Sequence, residues 1–512
     1  MDITIRGLMN KVEFRYKVTF LSTFLIGLFS QGMGLFNKYS IHDDAGLFGT
    51  GATYTSGRWL LDWVGRIEQK GFGDGHYSLP IINGGAAILL IALAACLIVS
   101  LLDIQNDFLC AFIGGIMVCF PVVTALFGYM FTVHYYMIAM FMGILGAFLV
   151  CRYNKWYLLV IGIVLMGASV GIYQAFIPIT LSVILLYFIN YTIDRSNSIL
   201  KIVRTMVTLA ISALLFFVFY LVMTNIFLKI QHTGLSDYKG INTIGKLSFY
   251  EYWLRVQDAY IEFFMPDSSR GYYMYSHSIL TAYYIVLIVI LIFSLILIWR
   301  VGKEDKIRAL ILLAAIGCVP LATNFVFIMA GKKETHALMV YAQLMVYVLG
   351  AWLLDKVKFT KRNIQQAVFS VALFGLGILL LMYCRFDNKC YLSAELSQQE
   401  AISYFTTLIT RIKSVQGYTD EMPVAFINQR EIEDNSVKEL WALDDIIMDP
   451  YWGINEYLNT YNWNQFVNIW CGYYPVMANY KNYETMPEVI NMPHYPDDDS
   501  IQIIDDTVVV KF

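Results

Sequence analysis

The stretch WYLLVIGIVLMGASVGIYQAFIPITLSVILLYFINY, residues 156–191, decides the fold class of this chain because it contains no charged side chain. A membrane-spanning helix needs roughly 20 mainly apolar residues, so the run is too long for one span and short for two. The sequence GIYQAF in its middle interrupts the run with a glycine and two polar side chains. We therefore predict two membrane helices that are joined by a re-entrant turn.

The composition of the whole chain agrees with a multi-span membrane protein. Of 512 residues, 58% are hydrophobic and 15% are charged, which is far too apolar for a soluble domain. The net charge of −3 gives no indication of a nucleic-acid partner, and we expect none. Four cations, Arg6, Lys11, Arg15 and Lys17, precede the first apolar segment, and no small-residue cleavage site follows it. We therefore expect a retained first helix.

The length rule predicts about eleven transmembrane helices along the chain. They lie near 16–35, 81–102, 108–127, 130–150, 157–171, 174–192, 205–229, 280–299, 309–330, 336–355 and 364–383. Lys and Arg accumulate in alternate short loops, which places the N-terminus in the cytoplasm. The odd number of helices then places the C-terminus outside.

Two amphipathic stretches in the long outer loops predict helices that lie flat on the membrane surface. In TSGRWLLDWVGRI, Thr55 and Ser56 are candidate N-caps, and Trp59 and Trp63 share one helical face. The second stretch is LSFYEYWLRVQDAYIEFF. The chain therefore combines transmembrane helices with interfacial helices on the outer face.

The last part of the chain has the pattern of a small α/β domain. SAELSQQEAISYFTTLITRIKSV predicts a helix, PVAFIN a strand, and IQIIDDTVVVKF two strands around an Asp-Asp turn. We therefore divide the chain into a transmembrane module, residues 1–383, and an extracytoplasmic domain, residues 384–512. Three cysteines lie in the predicted polar tail, Cys384, Cys390 and Cys471. One disulfide between two of them is possible.

Two adjacent acids, Asp43 and Asp44, lie in YSIHDDAGLFGTG just after the first predicted helix. Adjacent carboxylates raise each other's proton affinity, which suits a general base or a cation site. The flexible glycine-rich stretch after them allows close backbone approach. An ordinary solvated loop is the alternative for such a pair.

Three cations on the predicted outer side are candidate ligands of a lipid phosphate. Arg58 lies in the predicted first turn of a helix, where a cation opposes the helix dipole. Either Asp62 or an anionic ligand compensates for that. Lys332 and Lys333 lie in a very short outer loop, where the orientation rule does not expect paired lysines. They either bind a phosphate or extend their side chains to the interface.

Four further residues are candidates for lining a cavity. Tyr173 and Gln174 lie at the predicted break, where polar side chains either satisfy the free backbone groups or face a cavity. His134 lies at the outer mouth of the fourth helix, and His336 lies one turn into the tenth. An interfacial hydrogen bond for His134 and a structural role for His336 are the alternatives.

Taken in order, DDAG after the first helix, TSGRWLLDWV, GIYQAF and the terminal IQIIDDTVVVKF resemble a known family. The chain resembles the membrane glycosyltransferases of the GT-C superfamily, and more narrowly the bacterial family of serotype-converting O-antigen glucosyltransferases. The resemblance implies a GT-C-like fold in the bacterial cytoplasmic membrane. It also implies a polyprenyl-phosphate glucose or related hexose donor and a surface-glycan acceptor.

The resemblance also implies an inverting single displacement at the anomeric carbon. Asp43 or Asp44 would accept the proton of the acceptor hydroxyl, and the three cations would stabilise the leaving polyprenyl phosphate. Many relatives carry a further acid in the second outer loop, where this sequence has His134. A divalent-cation requirement therefore stays open, with Asp43 and Asp44 as the candidate ligands.

Other classes of protein also have many membrane helices. A lipid-linked sugar flippase would more often show pseudo-repeated halves and charges deep within its spans. A glycan polymerase is a second enzymatic alternative, and a structural scaffold gives the acids and cations no shared task. We expect Asp43, Asp44, Arg58 and Lys332 to converge around a lipid-accessible cavity at the outer surface.

Overall fold

The computed structural model describes residues 11–39, 43–44, 54–73, 77–236, 246–266, 276–427 and 463–512. The described chain forms two compact units. The first unit contains residues 11–38 and the described residues of 54–388. The second contains Tyr39, Asp43, Asp44 and the described residues from Lys389 to Phe512.

The first unit is built from helices that we number in chain order. They are α1 Phe14–Phe36, α2 Trp59–Phe72, α3 Gly85–Leu101, α4 Asp107–Cys119, α5 Val122–Phe127, α6 Met130–Arg152, α7 Trp156–Ile172, α8 Ile177–Ile193, α9 Ile199–Ile230, α10 Phe249–Phe264, α11 His277–Glu304, α12 Lys306–Gly317, α13 Val319–Thr323, α14 Phe325–Ala330, α15 Met345–Lys356 and the first part of α16 Arg362–Lys413. Short 3₁₀ turns cover Tyr54–Ser56, Gln174–Phe176, Ala337–Met339 and Tyr341–Leu344, and a π turn at Pro80–Gly84 precedes α3.

Eight helical segments in the described part of the chain are long and apolar enough to cross a membrane. They are Phe14–Phe36, Pro80–Leu101, Met130–Arg152, Gln174–Ile193, Ile199–Ile230, His277–Glu304, Lys306–Thr323 and Arg362–Lys413. Two shorter apolar helices, Asp107–Cys119 and Trp156–Ile172, fall at two further predicted spans. The chain is a helical membrane protein, while the total of eleven spans stays a prediction.

Three predicted helices are broken into shorter pieces. The segment predicted at 108–127 is interrupted at Phe120, which precedes Pro121 and has an extended backbone with φ −68° and ψ 127°. A residue before proline is driven out of the helical region by the proline ring, which explains this break. The segment predicted at 309–330 divides into α12, α13 and α14, and the one at 336–355 begins with two 3₁₀ turns before α15.

The break predicted within residues 156–191 is confirmed. Tyr173 has an extended backbone with φ −151° and ψ 111°, and it separates α7 from the 3₁₀ turn Gln174–Phe176. Pro178 then occupies the first turn of α8, where its missing N–H costs no helical hydrogen bond. The local sequence is therefore sufficient to place the end of one helix and the start of the next.

Two glycines bring α6 and α7 into close contact. A Cβ on Gly146 would lie 2.6 Å from the carbonyl oxygen of Gly162, and a Cβ on Gly162 would lie 2.7 Å from that of Gly146. The backbones can approach this closely only because neither residue has a side chain. As an antiparallel pair, α6 and α7 bring His134 and Tyr173 to the same end of the bundle.

Both predicted surface helices exist, and their first residues differ from each other. The prediction that Thr55 or Ser56 caps the first of them, α2, is wrong. Both residues lie in a separate 3₁₀ turn, and Arg58 is the N-cap of α2. Its side chain makes no capping hydrogen bond. Helix α10 begins with a complete capping box in which Ser248 and Glu251 bond each other's backbone N–H.

The last predicted membrane helix and the predicted tail helix are one continuous helix, α16, of 52 residues. It passes through the predicted boundary at 383/384, so that boundary stays a prediction. Cys384 and Cys390 lie inside this helix rather than in a polar tail, and all eight cysteines are free. In this structure Cys384, Cys390 and Cys471 therefore form no disulfide.

The second unit contains a three-stranded sheet with strand order β1-β3-β2. Its strands are β1 Val424–Ile427, β2 Ile501–Ile504 and β3 Thr507–Lys511, and two short helices, α17 Trp463–Cys471 and α18 Pro487–Ile490, accompany them. β1 runs parallel to β3, whereas β2 and β3 form an antiparallel hairpin. Asp505 and Asp506 both have positive φ, 48° and 57°, as a tight hairpin turn requires. The predicted strands and their Asp-Asp turn are confirmed.

Candidate functional site

The segment just before α2 is hydrogen-bonded to the helix break between α7 and α8. Gln174 Nε2 donates hydrogen bonds to the carbonyl oxygen of Ser56 at 2.7 Å and to the hydroxyl of Tyr220 at 3.1 Å. Gly57 has φ +73°, and a Cβ there would lie 2.5 Å from the Tyr220 hydroxyl. The predicted role of Gln174 in satisfying broken backbone thus takes a specific form, because it binds the backbone just before α2.

Arg58 follows directly and lies above an aromatic stack. Its guanidinium carbon is 5.1 Å from the centre of the Tyr173 ring. The Tyr173 ring in turn stacks on Tyr136 of α6 with a centroid distance of 4.3 Å and an angle of 21°. The contact of a cation with an aromatic face is favourable. The position of the guanidinium at the positive N-terminal end of α2 is unfavourable, because a cation there opposes the helix dipole. Arg58, Tyr173 and Gln174 therefore form one group of predicted site residues.

The alternative partner proposed for Arg58 is engaged elsewhere. Asp62 accepts hydrogen bonds from the Tyr54 hydroxyl at 2.8 Å and from Arg66 Nε at 2.6 Å. Burial and then the Asp62 hydrogen bond raise the pKa of Tyr54, so its hydroxyl stays a donor. Asp62 thus contacts Tyr54 and Arg66, and the anionic-ligand interpretation of Arg58 stays a prediction.

Helix α2 also reaches α6 through Glu68, which the sequence analysis did not single out. His134 Nε2 lies 3.2 Å from the Glu68 carboxylate, and the Tyr135 hydroxyl donates to the same carboxylate oxygen. The His134 side chain is 11% exposed and that of Glu68 is 27% exposed. The hydrogen bond predicted as an alternative for His134 is present, and its partner is a carboxylate.

A glycine allows α2 to lie against the end of α7. A Cβ on Gly171 would lie 2.5 Å from the ring of Trp59. The Trp59 ring also stacks on Phe227 of α9, with a centroid distance of 5.2 Å and an angle of 7° between the planes. These contacts hold the first turn of α2, and with it Arg58, in one position over the bundle end.

Lys332 forms an ion pair with Glu262 near the end of α10. The Glu262 side chain is fully buried, whereas that of Lys332 is 24% exposed. Arg255 of the same helix donates to the carbonyl oxygens of Ile328 at 3.0 Å and Met329 at 2.9 Å. Helix α10 is therefore tied to the loop that carries Lys332, and Lys333, which is exposed, follows in the same loop.

His336 precedes the 3₁₀ turn Ala337–Met339, so the prediction that it lies one turn into a helix is wrong. That turn packs against the 3₁₀ turn Gln174–Phe176 and against α5. Phe176 and Tyr341 make a ring contact at 6.1 Å across the same junction. The segment that carries His336 therefore packs on the turn Gln174–Phe176, whose first residue, Gln174, is one of the predicted site residues.

Asp43 is half-buried and Asp44 is fully buried. Both belong to the second unit, whereas Arg58 and Lys332 belong to the first. The expected convergence of the four therefore stays a prediction, and residues 45–53 of the adjoining glycine-rich stretch lie outside the described residues. Among the described residues, no group of three or more His, Cys, Asp and Glu side chains has the arrangement of a metal site.

Glu68 and Glu262 were missed because their partners are distant in the sequence. His134 is 66 residues from Glu68, and Lys332 is 70 residues from Glu262. One sequence signal was available, since an acid in the last turn of a helix opposes the dipole just as Arg58 does at a first turn. Glu262 lies two residues before the end of α10, which indicates a cationic partner.

A family model described as glucosyl transferase GtrII matches residues 32–348, which is more than half of the chain. The matched range contains every predicted site residue, from Asp43 to His336. The match confirms the glucosyltransferase family that the sequence motifs predict. No curated protein and no solved structure matches the chain.

Proposed function

The chain belongs to the GtrII glucosyltransferase family, and on this premise we propose that it transfers glucose, or a related hexose, from a polyprenyl-phosphate donor to a surface glycan. Transfer takes place on the outer face of the bacterial cytoplasmic membrane. The N-terminus lies in the cytoplasm and the C-terminal domain outside, as the distribution of Lys and Arg indicates. The enzyme adds one sugar by an inverting displacement, with the GT-C superfamily as the fold.

In the proposed reaction an acceptor hydroxyl oxygen attacks the anomeric carbon while the bond to the phosphate oxygen breaks. The hydroxyl proton passes to Asp43 or Asp44, and the polyprenyl phosphate leaves as an anion. The burial of Asp44 shields its carboxylate from bulk water, whereas half-buried Asp43 is more open to an incoming hydroxyl. A divalent cation, if one takes part, would bind these carboxylates.

The observation that carries the phosphate site is the position of Arg58. Arg58 is the N-cap residue of α2, its side chain makes no capping hydrogen bond, and its guanidinium lies above the Tyr173 ring, which stacks on Tyr136. A helix N-terminus and a guanidinium together favour an anion such as a phosphate. Lys332 is already paired with Glu262, so exposed Lys333 is the more available of the two lysines.

Four polar side chains complete the proposed cavity around the phosphate. Tyr173 supports Arg58, Gln174 holds the preceding turn, and His134 is held by Glu68. His336 precedes the turn that packs on Gln174–Phe176. The Glu68 and His134 pair supplies a further carboxylate near the place where relatives carry an acid, so Glu68 joins the candidate residues.

The competing functions differ in what happens to the donor. A flippase would move the lipid-linked sugar without breaking its bond to phosphate, and a polymerase would join whole repeat units. The family match favours a transferase over a flippase. The C-terminal domain is proposed as a cap or as the element that binds the acceptor glycan.

The test uses the purified full-length protein with Asp43→Asn and Asp44→Asn variants. The assay measures release of undecaprenyl phosphate from undecaprenyl-phosphate glucose in the presence of a crude surface-glycan acceptor. Asp107→Asn is the matched control, because Asp107 is exposed at the start of α4. We expect one of the two site variants to bind donor and fail to transfer. Binding without turnover by the wild type across several donors and acceptors would replace the transferase with a flippase.

A further inference from the structure

A long apolar cleft runs along the surface of the first unit between α11 and α16. Its volume is about 720 Å³, and α15 forms its floor. The lining extends from Ser278 to Phe293 on α11 and from Ala367 to Met382 on α16. Fifteen helical rises of 1.5 Å make the cleft about 22 Å long, or roughly three quarters of the hydrocarbon thickness of a bilayer.

The walls of the cleft leave room for a bulky chain and open toward the surroundings. Small residues, Ala282 and Gly350 among them, line it on two different helices. At the rim, Ile285 is 57% exposed and Val371 is 73% exposed. A chain could therefore enter sideways from the bilayer without crossing the bundle. A methyl-branched chain needs more width than a straight acyl chain, and the small residues provide it.

One end of the cleft leads to polar groups. Tyr347 lines the cleft, and its hydroxyl lies 2.5 Å from that of Tyr383. The Tyr347 ring contacts Tyr283 at 6.4 Å, and the Tyr283 hydroxyl donates to the carbonyl oxygen of Phe263 at 2.7 Å. Phe263 directly follows Glu262, the counterion of Lys332. A continuous chain of contacts therefore joins the cleft to the loop that carries Lys332.

A second cation lies at the same end of the cleft. Arg385 is exposed on α16, one turn beyond the lining residue Met382. The opposite end lies where Phe293 contacts Phe359, just before α16 begins. The cleft is thus apolar along its length, and the exposed cations Arg385 and Lys333 lie toward one end, which complements a single hydrophobic chain with an anionic head.

We propose that this cleft holds the isoprenoid chain of the lipid carrier, with the carrier's phosphate at the end near Arg385 and Lys333, the exposed neighbour of Lys332. This inference rests on the proposed function, because it assigns a place to the donor of that reaction. The chain lies along α11 and α16, and the sugar end projects from the cleft toward the outer surface. Length selectivity for the carrier then comes from the cleft and not from the catalytic carboxylates.

A matched pair of glycines on α16 tests the assignment. Gly375 lines the cleft, whereas Gly377 does not, and a Cβ on either one meets nothing within 4 Å. Gly375→Trp fills the cleft, and Gly377→Trp places the same ring on another side of the same helix. Binding of undecaprenyl phosphate, farnesyl phosphate and a bilayer phosphatidylglycerol to each full-length variant is measured by native mass spectrometry.

We expect Gly375→Trp to weaken undecaprenyl phosphate binding at least tenfold, to weaken farnesyl phosphate binding less, and to leave phosphatidylglycerol binding unchanged. Gly377→Trp should bind all three lipids as the wild type does. Undiminished undecaprenyl phosphate binding by Gly375→Trp would overturn the proposal, and so would equal losses in both variants. Loss of phosphatidylglycerol alone would assign the cleft to bilayer lipid and would also overturn it.

The failure of the proposed function has a different signature. If the wild type never transfers sugar but binds undecaprenyl phosphate in a manner that depends on Gly375, the cleft assignment stands and the transferase assignment falls. Ala282→Phe on α11 provides a second obstruction from the opposite wall. It should reproduce the binding loss of Gly375→Trp, and normal binding by this variant would contradict the cleft as the site.

Discussion

The surface helices α2 and α10 are similar in sequence pattern and different in how they begin. Helix α10 starts with a capping box formed by Ser248 and Glu251, so its first backbone donors are satisfied within the helix itself. Helix α2 starts with Arg58 and has no side-chain cap. The start of α10 is therefore capped by its own side chains, whereas the start of α2 receives no hydrogen bond from the side chain of its N-cap residue.

The two helices also differ in how they are anchored. α10 is held by the ion pair of buried Glu262 with Lys332 and by Arg255 on two backbone carbonyls. α2 is held by aromatic packing of Trp59 and by Glu68 on α6. The comparison indicates that α10 is a structural support, while a role of the first turn of α2 in binding stays a proposal.

The largest effect is expected at Arg58. Arg58→Ser introduces a good N-cap, so the free energy of unfolding should be unchanged or increased by about 1 kcal/mol. Transfer from undecaprenyl-phosphate glucose should fall about 100-fold, as for other losses of a single charge-stabilising donor. Arg66→Ser is the control, because exposed Arg66 pairs with Asp62 on the same helix. Equal activity of the two variants would remove the phosphate role from α2.

The next effect tests α10 as a support. Glu262→Gln leaves the Lys332 ammonium without its counterion, and we expect a loss of about 2 to 3 kcal/mol in unfolding free energy because a broken buried pair leaves an uncompensated charge. Glu68→Gln should cost less, since Glu68 is 27% exposed and an amide oxygen can still accept from Tyr135. Unfolding of the purified protein in detergent measures both. A second change, Lys332→Met, should restore part of the loss.

The glycines that flank α2 provide a smaller test. Gly57 and Gly73 both have positive φ, +73° and +91°, but only a Cβ on Gly57 would meet another residue, the Tyr220 hydroxyl at 2.5 Å. Gly73→Ala should cost about 1 kcal/mol from backbone strain alone, and Gly57→Ala about twice that. Tyr220→Phe removes the obstructing oxygen and should recover part of the difference in melting temperature, because Gln174 Nε2 still lies 3.0 Å from that Cβ and loses its hydrogen bond to the hydroxyl. Identical melting temperatures for the two alanine variants would show that α2 is not fixed at its start.

The smallest effect is a pH dependence confined to α10. The Ser248 hydroxyl and then its backbone N–H lower the pKa of Glu251 below its usual range. A depressed folded-state pKa contributes stability above the ordinary value of about 4.3, and the contribution is lost as the pH falls through the lower folded value. The protection factors of the amides in the first turn of α10, which correct for the slower intrinsic exchange at low pH, should therefore fall on acidification, while Glu251→Gln removes the dependence. The first turn of α2 serves as the internal reference.

Much of the fold follows from local sequence. Helices are found at all predicted span positions. The reason is that a helix satisfies the backbone hydrogen bonds of a long apolar run within the run itself, where lipid offers no partners. The break at Tyr173 and the Asp505-Asp506 hairpin were also readable, since Gly, Pro and paired acids act on their immediate neighbours. The missed interruption at Phe120 has a local cause in Pro121, whereas the 3₁₀ turns that precede α15 come from tertiary packing.

Less of the candidate site could be predicted. Arg58, Tyr173 and Gln174 were recognisable because each conflicts with its local surroundings, and the structure brings them together. Glu68 and the counterion Glu262 look like ordinary acids on amphipathic helices. Their partners His134 and Lys332 come from other helices, so no local pattern identifies them.

By itself the sequence determined the class of protein, the positions of its apolar helices and the strands of its last domain. Hydrophobicity and backbone preference act over a few neighbouring residues and are therefore readable in order along the chain. Only the tertiary structure decided which acids meet which cations, how α2 lies over the bundle end, and that α11 and α16 leave an apolar cleft between them. These depend on contacts between residues far apart in the chain, where the packing of whole helices selects the partners.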